Sequence, residues 1–514
     1  MSGCNCAGWW LAAAAIIVGF LYWKMKEIYK FWQIRNIPHR TPSLIVGNFG
    51  KVFIGKQSMG DALQEIYNEF KGTGPYAGYY TMLSPTLVVL DPEAIKSIMV
   101  KDFQYFHNRG EYYNEKDDPL SAHLFSIEDD KWKRLRKKLS PTFTSGRMKM
   151  MYSTMMENAV ELKEYMQETV SKNSVLEIKD VLARFTTDII GSCALGVQCN
   201  TIKNPDAEFR EIGRKFLSTD FKNTLKQLFA FTFKSFSRRI GLTIIDKDVS
   251  KFFLDRIEET IKFREQNNVK RNDFLQLLIQ LKSKGYLEDN DEGEIVDDKS
   301  TLTLNEIAAQ AFVFYLGGFE TSSSTMSFCL YELAVNPDIQ KKCRDEINRI
   351  LEMNGDKLTY DCIVQMNYLD QVIYETMRKY PVLPVLTREC GKDYTLPGTT
   401  MWIPKGTSVF IPVSGIHHDP EIYPEPNKFD PERFTEEAKN ARHHYAYLPF
   451  GEGPRICIGM RFGLMQTRLG LITIIRDYNI LPSDKTKVPL EMDPRSFIPA
   501  SVGGITLKFE KIEN

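Results

Sequence analysis

The stretch Phe450-Gly451-Glu452-Gly453-Pro454-Arg455-Ile456-Cys457-Ile458-Gly459 carries one cysteine on a glycine-rich turn. The turn opens an apolar run through Met460, Phe462, Leu464 and Met465 toward Ile475. A thiol at a helix N-terminus meets the positive end of the dipole and unpaired backbone N–H groups, and both favour thiolate. Arg455, two residues earlier, adds a cation. Such a sulfur suits a metal; the alternative is a small hydrophobe opening a buried helix. Gly451 and Gly453 favour the ligand, because they let the backbone lie close to something flat, with Phe450 as a ring to pack beside it. The second constellation is Gly317-Gly318-Phe319-Glu320-Thr321. Two adjacent glycines inside a helix cost about 1 kcal/mol each relative to alanine and need a reason. Passage close to a flat ligand, or a groove, is one; tight helix–helix packing with a surface glutamate is the other. Gly317, Gly318 and Thr321 share a face. A hydroxyl and an acid beside a groove make a proton-delivery pair.

Two further spacings bring polar groups together. Glu375 and Arg378 stand at i,i+3, which on spacing alone is a weak surface ion pair. Trp132 and Arg136 stand at i,i+4, two hydrogen-bond donors on one face.

These groups need long helices to hold them. Thr303-x-x-Glu306 is a capping box, and the apolar and small residues after it continue to Val335, where Asn336-Pro337 stops them. Over thirty residues at ~1.5 Å each give about 48 Å, enough to cross the molecule. A second helix holds Met366 to Arg378. The pattern is mostly helical from about 130 to 285, and Glu288 to Lys299 is an acidic, glycine-containing loop. Thr81–Leu90, Thr407–Val413 and Gly504–Phe509 are strand-like. The expected fold class is mainly α with minor β sheets.

Residues Ala7 to Trp23 carry no charge; as helix they span about 26 Å, the short limit for crossing a membrane. Trp9, Trp10, Tyr22 and Trp23 mark the two ends, and Lys24, Lys26, Lys30, Arg35 and Arg40 follow. Positive-inside logic puts the body in the cytosol. A cleaved signal peptide fits poorly, since the basic residues lie after the apolar run. The expected organisation is an anchor over 1–24, a basic, proline-containing linker over 25–45 and one catalytic domain over 46–514. Length alone suggests about three domains, but the motifs run from Arg109 to Cys457 and serve one centre. Nine cysteines without regular pairing point to reduced thiols; Cys4-x-Cys6 is either a metal pair or a plain tail. The formal net charge of zero gives nucleic-acid binding no support.

The cysteine stretch resembles the haem loop of the cytochrome P-450 superfamily, Phe-x-x-Gly-x-Arg-x-Cys-x-Gly, at Phe450, Gly453, Arg455, Cys457 and Gly459. The resemblance covers essentially the whole chain. It implies haem b with Cys457 as axial thiolate. It also implies Thr321, with Glu320 as the neighbouring acid, stabilising bound dioxygen and helping protons reach it. Trp132, Arg136 and Arg455 match residues that bind the haem propionates, as do Arg109 and Arg388 on looser local motifs; Gly317 and Gly459 lie against the ring. Glu375 and Arg378 would join Arg433, of Pro431-Glu432-Arg433-Phe434, in a buried network behind the loop. Ser140-Pro141-Thr142-Phe143-Thr144, Tyr374-Glu375-Thr376-Met377-Arg378 and Phe450 to Arg455 resemble insect microsomal family 6 in particular. The implied reaction is mono-oxygenation of lipophilic foreign compounds, including plant toxins and insecticides. Electrons would come from NADPH through a membrane-anchored NADPH–cytochrome reductase, with cytochrome b5 as a candidate second donor, at the endoplasmic reticulum. Lys133, Arg134, Lys137 and Lys138 are the implied docking patch. Phe229–Phe236, rich in phenylalanine, is either core or membrane-dipping. Implied substrate contacts lie near Tyr112–His123, Phe312–Glu320, Val382–Leu386 and Ala500–Val502. Other readings of the same fold are a hormone or lipid hydroxylase, a reductase-independent isomerase or dehydratase, and a non-catalytic haem-binding scaffold.

Overall fold

A computed structural model describes residues 5–217, 221–285, 287 and 300–513. Helix α1 (Asn5–Tyr29) continues six residues beyond Trp23, and its apolar stretch is unburied by the rest of the chain. One helical stretch, Gly8–Ile34, is long and apolar enough to cross a membrane. The segment after α1 is docked on the body. Trp32 is fully buried and donates its indole N–H to Tyr79 O at 3.0 Å. It fits only because Gly78 has no Cβ, which would sit 2.4 Å from the indole. Ile37 is buried beside it. Much of residues 25–45 is therefore a strap on the body.

The body is built on helices α2 (Met59–Phe70), α3 (Asp129–Leu139), α4 (Ser145–Lys172), α5 (Ile178–Ile190), α6 (Phe221–Thr232), α7 (Lys234–Arg239), α8 (Lys247–Asn267), α9 (Phe274–Lys284), α10 (Leu304–Val335), α11 (Pro337–Met353), α12 (Asn367–Lys379) and α13 (Met460–Ile475). Helix α10 is the axis, packed against α5, α8, α9, α12 and α13. It starts where the capping box places it: Glu306 N donates to Thr303 Oγ1 at 3.2 Å, and Thr303 N to Glu306 Oε2 at 2.8 Å. It ends at Val335, and α11 begins at once with Pro337, whose missing N–H costs nothing in a first turn. Several of its buried hydroxyls are satisfied along the helix, as Ser327 Oγ shows by donating to Ser323 O at 2.6 Å.

Three small sheets complete the fold. Strands β1 (Tyr76–Thr81), β2 (Ser84–Val89), β7 (Ser408–Ile411) and β4 (Leu386–Glu389) lie in the order β1-β2-β7-β4. β2 and β7 run parallel and the other neighbours antiparallel. The run Thr81–Leu90 is thus not one strand: Met82, at φ +56°, turns it, and Tyr76–Thr81 pairs back on it. Strands β3 (Val175–Glu177), β9 (Thr506–Lys511) and β8 (Tyr478–Pro482) form a second sheet, β5 (Tyr394–Thr395) and β6 (Trp402–Ile403) a third. One hydrophobic core surrounds α10, and a second lies under the four-stranded sheet. The expected acidic loop at 288–299 lies outside the described residues, as does Cys4. Among the described residues no cluster of metal-binding side chains is present.

Candidate active site

The loop before α13 is shaped by its glycines. Gly451 and Gly453 have φ of +71° and +73°. A Cβ on Gly453 would stand 2.1 Å from Met99 O, so this glycine is required by a neighbouring carbonyl rather than by a flat ligand. Cys457 N donates to Phe450 O at 3.0 Å, and Gly459 caps α13. Cys457 is exposed, whereas the six other free cysteines among the described residues are buried. Yet desolvation raises its thiol above the ordinary cysteine range, opposed by the Gly459 backbone N–H and by Arg109 and Arg136. An accessible but desolvated sulfur faces an enclosed space.

The expected cation beside the sulfur is not Arg455. That side chain turns the other way, donating to Phe125 O at 3.2 Å and Ile127 O at 2.8 Å and stacking over Trp132 at 4.3 Å. Arg109 and Arg136 take its place. Arg136 donates to Ile456 O at 3.0 Å, and Arg109 to Arg455 O at 3.2 Å. Arg388, on β4, is buried and, among the described residues, donates only to Thr387 O, 2.7 Å away. Burial and mutual repulsion push Arg109, Arg388 and Arg455 down to about 10, about 9 and about 8. Guanidinium stays charged in proteins, so these shifts register cations buried together without enough anions. Among the described residues, the Nε atoms of Arg388 and Arg455 have no hydrogen-bond partner. Glu111 faces Arg109, but burial drives its carboxyl up, toward the neutral form. An accessible thiol close to Arg109 and Arg136, in a region of buried guanidiniums short of anions, fits a flat group with carboxylate tails, the haem that the resemblance implies.

Helix α10 supplies an opposing wall. On a helix largely buried through its middle, Val313, Leu316, Gly317, Gly318, Glu320 and Thr321 keep accessible surface. A Cβ on Gly317 would meet nothing within 4 Å, whereas one on Gly318 would stand 2.6 Å from Ile190 of α5. The glycine pair therefore divides its work: Gly317 opens space and Gly318 packs. Gln466 of α13 ties the two walls together, donating to Gly318 O at 2.6 Å. Thr321 Oγ1 donates to Gly317 O at 2.6 Å. Glu320 is held on the α5 side by Lys179, whose Nζ lies 2.9 Å from Oε1 and also reaches Ser323 and Ser324.

Behind the loop, Glu375 and Arg378 are fully buried and bidentate, at 2.7 and 2.8 Å. Arg433 Nε lies 3.4 Å from Glu375 Oε1. The surface pair that spacing alone suggested is an interior one. Arg378 also donates to His417 O at 2.8 Å, and Leu448 N donates to His417 Nε2 at 2.9 Å, so His417 links the network to the chain just before Phe450. Burial, His418 and Arg378 hold His417 well below the usual histidine range. A base whose folded-state pKa is depressed costs nothing above its unfolded pKa, near 6.5, and costs about 1.4 kcal/mol per pH unit below it. Denaturant midpoints measured from about pH 7 to about pH 5.5 should therefore fall more steeply for the wild type than for His417→Gln, by that slope. Equal slopes would show that His417 is not buried neutral.

Lys179, Glu111 and His417 were not legible as site residues. Each is an ordinary polar residue in sequence, and only burial beside a named partner marks it. Lys138 leaves the expected docking patch: it is buried, donating to Gly285 O and Ser300 O at 3.2 and 2.6 Å. Lys133, Arg134 and Lys137 remain exposed on α3. Leu225, Phe229, Phe233, Phe236 and Ile240, on and around α6 and α7, form an exposed apolar patch rather than core.

The family model for cytochrome P450 matches residues 38–506. Cytochrome P450 6A1 of Musca domestica is 46% identical over 487 residues, 94% of this chain and 93% of that protein. Cytochrome P450 6a2 and cytochrome P450 6a8 of Drosophila melanogaster are 43% and 44% identical, each over 98% of this chain and at least 98% of its own length. With the haem loop, the buried arginines and these relatives in agreement, the chain belongs to the cytochrome P450 family, whose members are haem-thiolate monooxygenases.

Proposed function

We propose that this protein inserts one atom of O2 into lipophilic compounds, foreign substances such as plant toxins and insecticides among them. Electrons come from NADPH through a cytochrome reductase at the endoplasmic reticulum membrane. The carrying observation is the open Gly317–Thr321 face on α10, tied through Gln466 to the helix that Cys457 precedes. In this reading the Cys457 sulfur would ligate the haem iron. Arg109, Trp132, Arg136, Arg388 and Arg455 would hold the haem carboxylates, and Phe450, Gly459 and Gly317 would pack against the group. Bound haem supplies the redox centre for O2, and the thiolate raises its electron density.

The chain's own residues do the rest. The Thr321 proton lies on Gly317 O, so its oxygen presents a lone pair to the groove and holds a water or a protonated oxygen there. Donation requires Thr321 to turn away from Gly317. Glu320, held by Lys179, gives the next proton site on the α5 side. Helix α1 anchors the body with its basic exit in the cytosol. The exposed apolar patch of α6 and α7, ending at Arg238-Arg239, rests on the same membrane. Lys133, Arg134 and Lys137 steer an acidic reductase, with cytochrome b5 as a second donor.

The test is reconstitution of the haem-loaded chain with reductase, NADPH and 18O2 over a panel of lipophilic compounds. Product carrying one 18O atom, formed only with NADPH, is the expected result. Turnover of hydroperoxides without NADPH, and no labelled product, would overturn the reading.

A further inference from the structure

His123 has the same double signature as Cys457. It keeps accessible surface, yet desolvation and the charge of Arg109 push it down to about 4, so its ring is neutral at physiological pH. The segment that carries it is fixed to the central helix, with Leu124 N donating to Gln310 Oε1 at 2.8 Å. Its ring stands 6.4 Å from those of Phe125 and Phe312, and Phe312 lies on α10 just before the open positions Val313, Leu316 and Gly317. The imidazole is thus a polar group set in an aromatic and aliphatic wall of the enclosed space.

The hydrogen bonds around it select a tautomer. Ser126 Oγ has one proton, and its shortest contact is to Ser121 O. With that proton committed, Ser126 Oγ can only accept from His123 Nδ1, 3.2 Å away, so Nδ1 carries the ring hydrogen. Nε2 is then a bare acceptor. Among the described residues it has no hydrogen-bond partner, and it keeps accessible surface beside the aromatic rings just named.

We infer that His123 is a specificity-determining residue, its Nε2 accepting a hydrogen bond from a hydroxyl or N–H on an otherwise lipophilic substrate. The inference rests on the proposed monooxygenase reading for the identity of the pocket. A site built with an acceptor discriminates against ligands that lack the matching donor, because its lone pair is then left dry.

The probes are matched lipophilic phenols and their methyl ethers, and the readout is the dissociation constant by equilibrium dialysis on haem-loaded protein. Each variant is first shown to keep the red-shifted Soret band of its ferrous–CO adduct. In the wild type the phenol should bind more tightly than its ether in several pairs. In His123→Phe that preference should shrink about fivefold, the worth of one neutral hydrogen bond. His123→Gln, which offers an amide oxygen near the Nε2 position, should recover most of it. A merely structural role would weaken both members of each pair alike. No preference in the wild type for any pair, or an unchanged preference in His123→Phe, overturns the inference. Absence of NADPH-dependent 18O incorporation would count instead against the underlying reading.

Discussion

Replacing Cys457 with alanine is expected to abolish the red-shifted Soret band of the ferrous–CO adduct while leaving the fold intact. The chain has no substitute ligand among the described residues. Cys193, Cys199, Cys329, Cys343, Cys362 and Cys390 are all buried. Burial pushes the Cys390 thiol up to about 11 and that of Cys329 to about 12, so neither offers a thiolate. Cys457 itself is exposed and lies outside the packed core. Its removal should therefore change the stability of the haem-free chain by no more than about 0.5 kcal/mol, read from circular dichroism and a denaturant midpoint. Retention of the band in the alanine variant would sink the assignment of Cys457.

The second large effect is expected at Glu375. Both of its oxygens are used, Oε2 by Arg378 Nε and Oε1 by Arg378 Nη2 and by Asp430 N at 2.9 Å. Glu375→Ala leaves the Arg378 cation fully buried without its counter-charge, a loss of about 3–5 kcal/mol. Whole-protein stability is typically about 5–15 kcal/mol, so little haem-loaded protein should be recovered. Because Arg378 also holds His417 O, and His417 holds Leu448 N, the loop before Cys457 loses its support together with the fold. The double variant Glu375→Leu, Arg378→Met removes both charges and should recover part of the stability, since an apolar pair avoids the stranded cation. Haem content and denaturant midpoint equal to wild type in Glu375→Ala would show that the pair carries no structural load.

Local order was legible wherever it depends on neighbours along the chain. Helix α10 begins and ends at the residues its capping box and Asn336-Pro337 indicate, because caps and prolines act within one turn. The cysteine turn, the Glu375–Arg378 spacing and the apolar N-terminal stretch are local in the same sense. Errors entered where a residue's meaning depends on distant chain. Arg455 is two residues from Cys457, yet it serves Phe125 and Ile127. Lys138 falls in a basic run, yet it is buried on the carbonyls of Gly285 and Ser300. Gly453 serves Met99, and only Gly317 of its pair opens space.

Residue order alone identified a cysteine-centred haem loop on a mainly helical body, because a motif with five matched positions and its flanking helix are contiguous in the chain. It did not reveal where charges come to rest. Burial of a charged or polar group depends on which distant elements close over it. That is why Glu375 became an interior anchor, Glu320 was drawn to Lys179, and Arg109 and Arg136 rather than Arg455 came to lie beside the thiol. The acceptor that His123 presents to the pocket belongs to the same class: its tautomer is set by Ser126 and Ser121, and its exposure by the packing of its segment on α10.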